Sequence, residues 1–308
     1  MEAARTLGLL LALVALVACG DRVDDGPAAP VVDQGYLAAE DAWRRQRRED
    51  LLRPDGWTSL VGLHWLELPA HYVGSSPGSG IRIAKGPPRL ALVQQAPDGI
   101  YLTPEPGVPL AIGDAPVAGR TRIRSDRDAA PDIVSFDEGR GRLALIERGS
   151  RRALRGWHAD AAARTAFAAL EYWPADPAWR MVARFVPHPP GRSIGIADIT
   201  GNLLPTSNPG RVEFDRDGRT FVLEALAGTD GGLFLVFADR TSGHGSYGAG
   251  RYIDTAPAAG GTVVVDFNRA YNPPCAFTPF ATCPLPPAGN RLDVAVTAGE
   301  KAYANPVY

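Results

Sequence analysis

From Trp57 onward, apolar residues fall in short runs that alternate with polar ones, and each run stops at Gly, Pro or Asp. IRIA (81–84), RLALVQQ (89–95), GIYLTP (99–104), DIVSF (132–136) and RLALIER (142–148) read as a first set of strands. WRMVARF (179–185), SIGIADIT (193–200), RVEFD (211–215), TFVLEALA (220–227), LFLVFAD (233–239), GRYIDT (250–255), TVVVDF (262–267) and LDVAVTA (292–298) read as a second. Asp217-Gly218 and Asp230-Gly231 supply hairpin turns. A short helix is expected within 159–170, and no helices alternate with the strands, so the pattern predicts an antiparallel sandwich or barrel rather than a βαβ fold. A longer helical period occupies 34–54, where Tyr36, Glu40, Trp43, Arg47 and Leu51 share a face and Pro54-Asp55-Gly56 stops the helix. Tyr36, Trp43 and Leu51 are expected to dock it. The cluster Arg44, Arg45, Arg47 and Arg48, flanked by Glu40, Asp41, Glu49 and Asp50, is expected as a solvated face, or else as a contact for anionic lipid or phosphate.

The predicted fold class is therefore mainly β. An N-terminal helix (34–54) precedes a small β-sandwich (55–150) and a larger antiparallel sandwich or barrel (160–305). Composition agrees: 34 Gly and 28 Pro among 308 residues exclude a helical bundle. A formal net charge of -2 gives no field to draw nucleic acid, so no nucleic-acid partner is expected.

The N-terminus reads as an address. Leu7 to Ala18 is an unbroken apolar run, too short to span a ~30 Å hydrocarbon core but suited to a secretory signal over 1–18. Leu16-Val17-Ala18-Cys19 resembles the bacterial lipobox, which implies cleavage before Cys19 and acylation of that cysteine. The residue after Cys19 is Gly20 rather than Asp, so the inner-membrane retention signal is missing. The expected location is the periplasmic face of the cell envelope, on the outer membrane rather than the inner, with the acylated Cys19 making the membrane partner. Residues 19–33 make an acidic, Pro-bearing linker.

Export changes how Cys275 and Cys283 are read. In an oxidising compartment a disulfide between them is the plain reading, and closing so short a loop stabilises by about 2.5 kcal/mol. The alternative makes Cys275 a nucleophile, with His244 or Asp239 as base and Arg251 or Arg269 favouring the thiolate. A Cys-x7-Cys spacing matches no common zinc site, and five scattered histidines give no metal site. No cofactor is implied.

Two resemblances follow. Residues 72–119 resemble the opening strands of a forkhead-associated β-sandwich through the Val73-Gly74-Ser75 turn, a Gly-rich loop and a short aliphatic strand. Ser75 stands where that family has its phosphate-binding arginine, and the later Ser-x-x-His is missing after Gly86, so the shape is implied without phosphothreonine binding. The block 239–301 is similar to the DUF1684 family, whose function is uncharacterised. The similarity is carried by Thr241-Ser242-Gly243, Tyr247 to Tyr252, Asp266-Phe267-Asn268, Ala270 to Phe277, Cys283-Pro284, Asn290-Arg291-Leu292 and Ala298 to Lys301. Upstream, Asp55-Gly56-Trp57, Val61 to Leu66, and Phe167 with Glu171 to Pro174 and Arg180 also fit, whereas GSRRALRGWHAD (149–160) departs from the family pattern.

The family name supplies no chemistry, so the residues must. Asn268, Tyr271, Asn272, Thr278 and Thr282 lie among six prolines that stiffen their loop, as scaffolds do to hold functional groups. A pocket is expected between 239–252 and 266–284, with Asp239, Thr241, Tyr247, Arg251, Asn268, Tyr271 and Asn272 as binding residues. Three readings result. The first is an envelope lipoprotein that binds an unidentified small ligand. The second is a hydrolase or transferase using Asn268, Tyr271, Asn272 and Cys275 with Arg251 and Glu300. In the third the block is a purely structural corner.

Overall fold

The computed structural model describes residues 33–306. The apolar run 7–18, the lipobox Cys19 and the linker up to residue 32 lie outside the described residues. Helix α1 (Gln34–Leu51) opens the described chain, N-capped by the Asp33 carboxylate. Eleven short strands follow. The first eight are β1 (Leu60–Trp65), β2 (Ala70–Gly74), β3 (Ile81–Arg82), β4 (Ala91–Ala96), β5 (Gly99–Pro104), β6 (Ala111–Ile112), β7 (Ala115–Pro116) and β8 (Thr121–Ile123). They are completed by β9 (Ile133–Phe136), β10 (Gly141–Arg148) and β11 (Arg151–His158). A one-turn helix α2 (Ala162–Thr165) then leads to β12 (Arg180–Pro187), β13 (Ser193–Ala197), β14 (Leu203–Ser207) and β15 (Gly210–Arg216). The last are β16 (Arg219–Ala227), β17 (Leu233–Phe237), β18 (Arg251–Asp254) and β19 (Thr262–Asp266).

The fold is mainly β, and its strands enclose two large hydrophobic cores, with smaller clusters at the disulfide loop and under α1. In the first, a six-stranded sheet (β1-β11-β10-β9-β6-β7) and a five-stranded sheet (β3-β2-β4-β5-β8) share one apolar interior built on Val73, Ile81, Val93, Leu102, Val134, Phe136, Leu143 and Leu154. The second core fills a six-stranded sheet (β18-β17-β16-β15-β12-β19) with Val212, Leu223, Leu235, Phe237, Val265 and Phe267, and the β13–β14 hairpin stands apart from it. Strand β11 was not among the expected strands. Its segment RRALRGWH pairs along its whole length with β10, and Leu154 and Gly156 face the first core. Alternation then sends Ala153 and Arg155 to the opposite face of that sheet, where both are nonetheless buried.

LDVAVTA (292–298) has the inside–outside alternation of a strand, and Leu292, Val296 and Ala298 are buried in the second core. It forms no strand. It makes two backbone bonds, from its Leu292 N–H to the Ala238 carbonyl and from the Arg240 N–H to its Val294 carbonyl, and side chains serve the rest of its inner end: the Arg251 guanidinium donates to the carbonyls of Val296, Ala298 and Glu300, and the Val296 N–H donates to Asp239 Oδ1. Gly299 then turns the chain at φ +78°, where a Cβ would stand 2.5 Å from the Ala270 carbonyl oxygen. That close approach delivers Glu300 beneath the 270–272 loop.

Helix α1 docks mainly through polar groups. Leu51 is buried against Ala276 and Phe277, and Trp43 meets Tyr172 edge-on. The remaining contacts are Tyr36 Oη donating to Asp266, Glu40 with Arg269 at 2.6 Å, and Arg47 with Glu300 at 2.9 Å. The arginine cluster is therefore not one solvated face: Arg44 lies over the Tyr172 ring and Arg47 over that of Tyr271, while Arg45 and Arg48 stay exposed. Among the described residues no helix is long and apolar enough to cross a membrane.

Candidate functional site

The expected binding residues separate into two groups. Most lie inside the second body and are bonded within it, with Arg251 Nε and Asn272 Oδ1 left unpartnered. Asp239 and Arg251 form an ion pair at 2.9 Å with both side chains at most 1% exposed. Burial lowers the Arg251 pKa, and the Asp239 carboxylate opposes that shift. Thr241 donates to Asp239 at 2.6 Å and shares a hydrogen bond with Ser246. Asn268 bridges the backbone of Asp176 and the carboxylate of Asp266. Asn272 donates its side chain to the Lys301 carbonyl and its backbone N–H to Glu300, whose other oxygen takes Arg47. Tyr247 donates to the Cys275 carbonyl. These residues hold loops to one another.

Cys275 and Cys283 form a disulfide with Cα atoms 6.2 Å apart. The nucleophile reading thereby loses its thiol. His244 is exposed and reaches only the Ser242 carbonyl.

Tyr271 is different. It lines a cleft of about 300 Å³ between the two bodies. One wall is Phe234, Tyr252, Tyr271 and the disulfide-closed loop from Pro274 to Pro284; the other is Trp57, Arg148 and Arg155, with Arg47 of α1 at the edge. The two facing walls come from residues 79 or more apart in sequence. Of the 239–252 loop, Tyr252 alone reaches the cleft, so the expected rim is corrected: the facing side comes from the first core. Burial, the largest influence, raises the phenols of Tyr252 and Tyr271 far above the ordinary tyrosine range; Asp254, which accepts from Tyr271 at 2.7 Å, raises the latter further.

The cationic wall escaped the sequence reading. Arg155 is 6% exposed and has no carboxylate partner among the described residues. Its Nη2 donates to Thr282 Oγ1 at 3.3 Å, and its Nε has no partner. Burial, and secondarily the neighbouring Arg148, bring its pKa down to about 10, which leaves it charged at neutral pH. Arg148 donates from Nε to the same Thr282 oxygen at 3.3 Å and pairs with Asp126 at 2.6 Å. The sequence offered one signal here: an arginine in phase with Ala153 and Trp157 in the middle of the segment ALRGW (153–157).

A mainly-β protein with two cores and an aromatic, cation-walled cleft between them is the class these features define. The model of the family described as protein of unknown function (DUF1684) matches residues 165–301, and this stretch of the chain belongs to that family. The match is narrower than the similarity read from the sequence and leaves Trp57, Arg148 and Arg155 outside it. A solution NMR structure of an uncharacterized protein from Haloarcula marismortui is 34% identical, covering 45% of this chain and 78% of that one, with a TM-score of 0.38. No curated protein matches the chain.

Proposed function

We propose that this is an envelope lipoprotein, acylated at Cys19, that binds a small ligand in the cleft between its two cores. The cleft carries the reading. Its volume of about 300 Å³ falls at the lower end of the range of small-molecule sites, which favour junctions between bodies, apolar and aromatic walls and a few convergent polar groups. Binding is favoured over turnover by the lining itself. It contains arginines, rings, prolines, a threonine and a disulfide sulfur, with neither carboxylate nor imidazole to act as a base. Tyr252 and Tyr271 hold their protons too tightly to serve.

Native mass spectrometry of the full chain extracted from the envelope tests this. The expected result is a retained small molecule that Thr282→Trp, which fills the cleft, displaces without unfolding the protein. Cys19→Ser is expected to move the protein from the membrane to the soluble fraction with ligand retention unchanged. An empty chain whose melting temperature no envelope extract raises would overturn the proposal.

A further inference from the structure

We infer that the ligand of this cleft carries a single carboxylate, seated between Arg155, Arg148 and Thr282, with an apolar or aromatic body against Trp57, Phe234, Tyr252 and Tyr271. The inference rests on the reading of the cleft as a binding site and specifies its chemistry.

The argument begins with charge. Three guanidinium groups border the cleft. Arg47 pairs with Glu300 and Arg148 with Asp126; Asp126 also acts on Arg155 through space, but among the described residues Arg155 has no carboxylate within ion-pair distance, so three guanidinium groups face two carboxylates. A buried cation without a counter-ion is costly unless something supplies one, so a site that retains it is built around an arriving anion. The surplus is one positive charge. A carboxylate neutralises it, whereas a phosphate monoester, near -2 at neutral pH, would exceed it.

Hydrogen-bond geometry points the same way. The unpartnered Nε of Arg155 belongs to the planar fork that fits a carboxylate edge. The Thr282 oxygen accepts from both Arg148 and Arg155, so its own proton is left to donate outward. The two arginines and the threonine thus present converging donors, while Asp126, held on Arg148, is not part of the cleft lining. Thr282 is held in place by the adjoining disulfide and by the prolines of its loop.

The rings define the rest. Trp57 stands on one side with the Arg155 guanidinium 5.7 Å from its centroid, and Tyr252 packs edge-on to both Phe234 and Tyr271 on the other. Such walls accept a flat or aliphatic body and give it no polar partner beyond the anion seat and the Arg47 edge.

The test uses the full chain carrying Cys19→Ser, so that no attached lipid competes, and titrates 3-phenylpropanoate, its neutral amide and phenyl phosphate by calorimetry. The expected result is a preference of about tenfold or more for the carboxylate over the amide, from the charged hydrogen bonds alone. Arg155→Met is expected to abolish that preference while leaving the melting temperature of the empty protein unchanged or higher, since it removes an unpaired buried charge. A merely structural arginine would instead lower it. Thr282→Val, milder for the fold, is expected to reduce the preference several-fold. Equal binding of carboxylate and amide would overturn the inference and leave the cleft as a neutral-ligand site. Preferred binding of phenyl phosphate would overturn the single-carboxylate assignment. Binding of none of the three, in a protein that still retains its native ligand, would overturn it as well.

Discussion

At the scale of single residues, the same side chain type does opposite work in two places. Arg251 and Arg155 are both buried arginines on strands. Arg251 meets Asp239 and three carbonyls and thereby replaces the ladder that residues 292–298 lack. Arg155 meets one hydroxyl. Removing one partner of a buried pair strands the other, so Arg251→Met is expected to cost about 3–5 kcal/mol in urea unfolding, against no loss for Arg155→Met. Asp198 gives a pH signature. Burial raises its pKa, but hydrogen bonds from Thr200 and Asn202 outweigh that and hold it below the usual aspartate value. A folded pKa below the unfolded value of about 3.9 means that the contribution is complete above that pH and is lost as pH falls below it. Acid unfolding of Asp198→Asn is therefore expected to show a shallower loss of stability below about pH 4 than the parent.

At the scale of elements, α1 behaves as a strap rather than an amphipathic lid. Its period was legible, because an i, i+4, i+7 pattern is local. Its contacts were not. The residues expected to face solvent include Arg47, which reaches Glu300 and the Asn272 carbonyl some 225 residues or more away. Glu300 is fully buried, so Arg47→Ala leaves a carboxylate without its charge partner. The expected outcome is a loss of about 3 kcal/mol or more, with amide exchange accelerated along α1 before either sheet, measured by hydrogen–deuterium exchange. Strand β11 teaches the converse. Its polar flanks at Arg151 and Arg152 hid a strand whose neighbours on both sides, β1 and β10, pair along it and so make it central to its sheet. Propensity and alternation describe one strand by itself, and centrality is a property of the sheet.

At the scale of the molecule, the cleft belongs to neither body. The family match, 165–301, supplies the ring wall, while the cationic wall comes from β10 and β11. The sequence by itself determined the mainly-β class, the leading helix, most strand positions and a disulfide-competent cysteine pair, because alternation, breakers and short loop closure act over a few residues. It also marked Tyr271. Tertiary structure alone decided that Asn268, Asn272, Asp239 and Glu300 are spent on internal bonds, and that Arg155 is left without a carboxylate partner. Whether a charge is matched depends on which distant carboxylates the fold brings within 4 Å, and no local pattern encodes that.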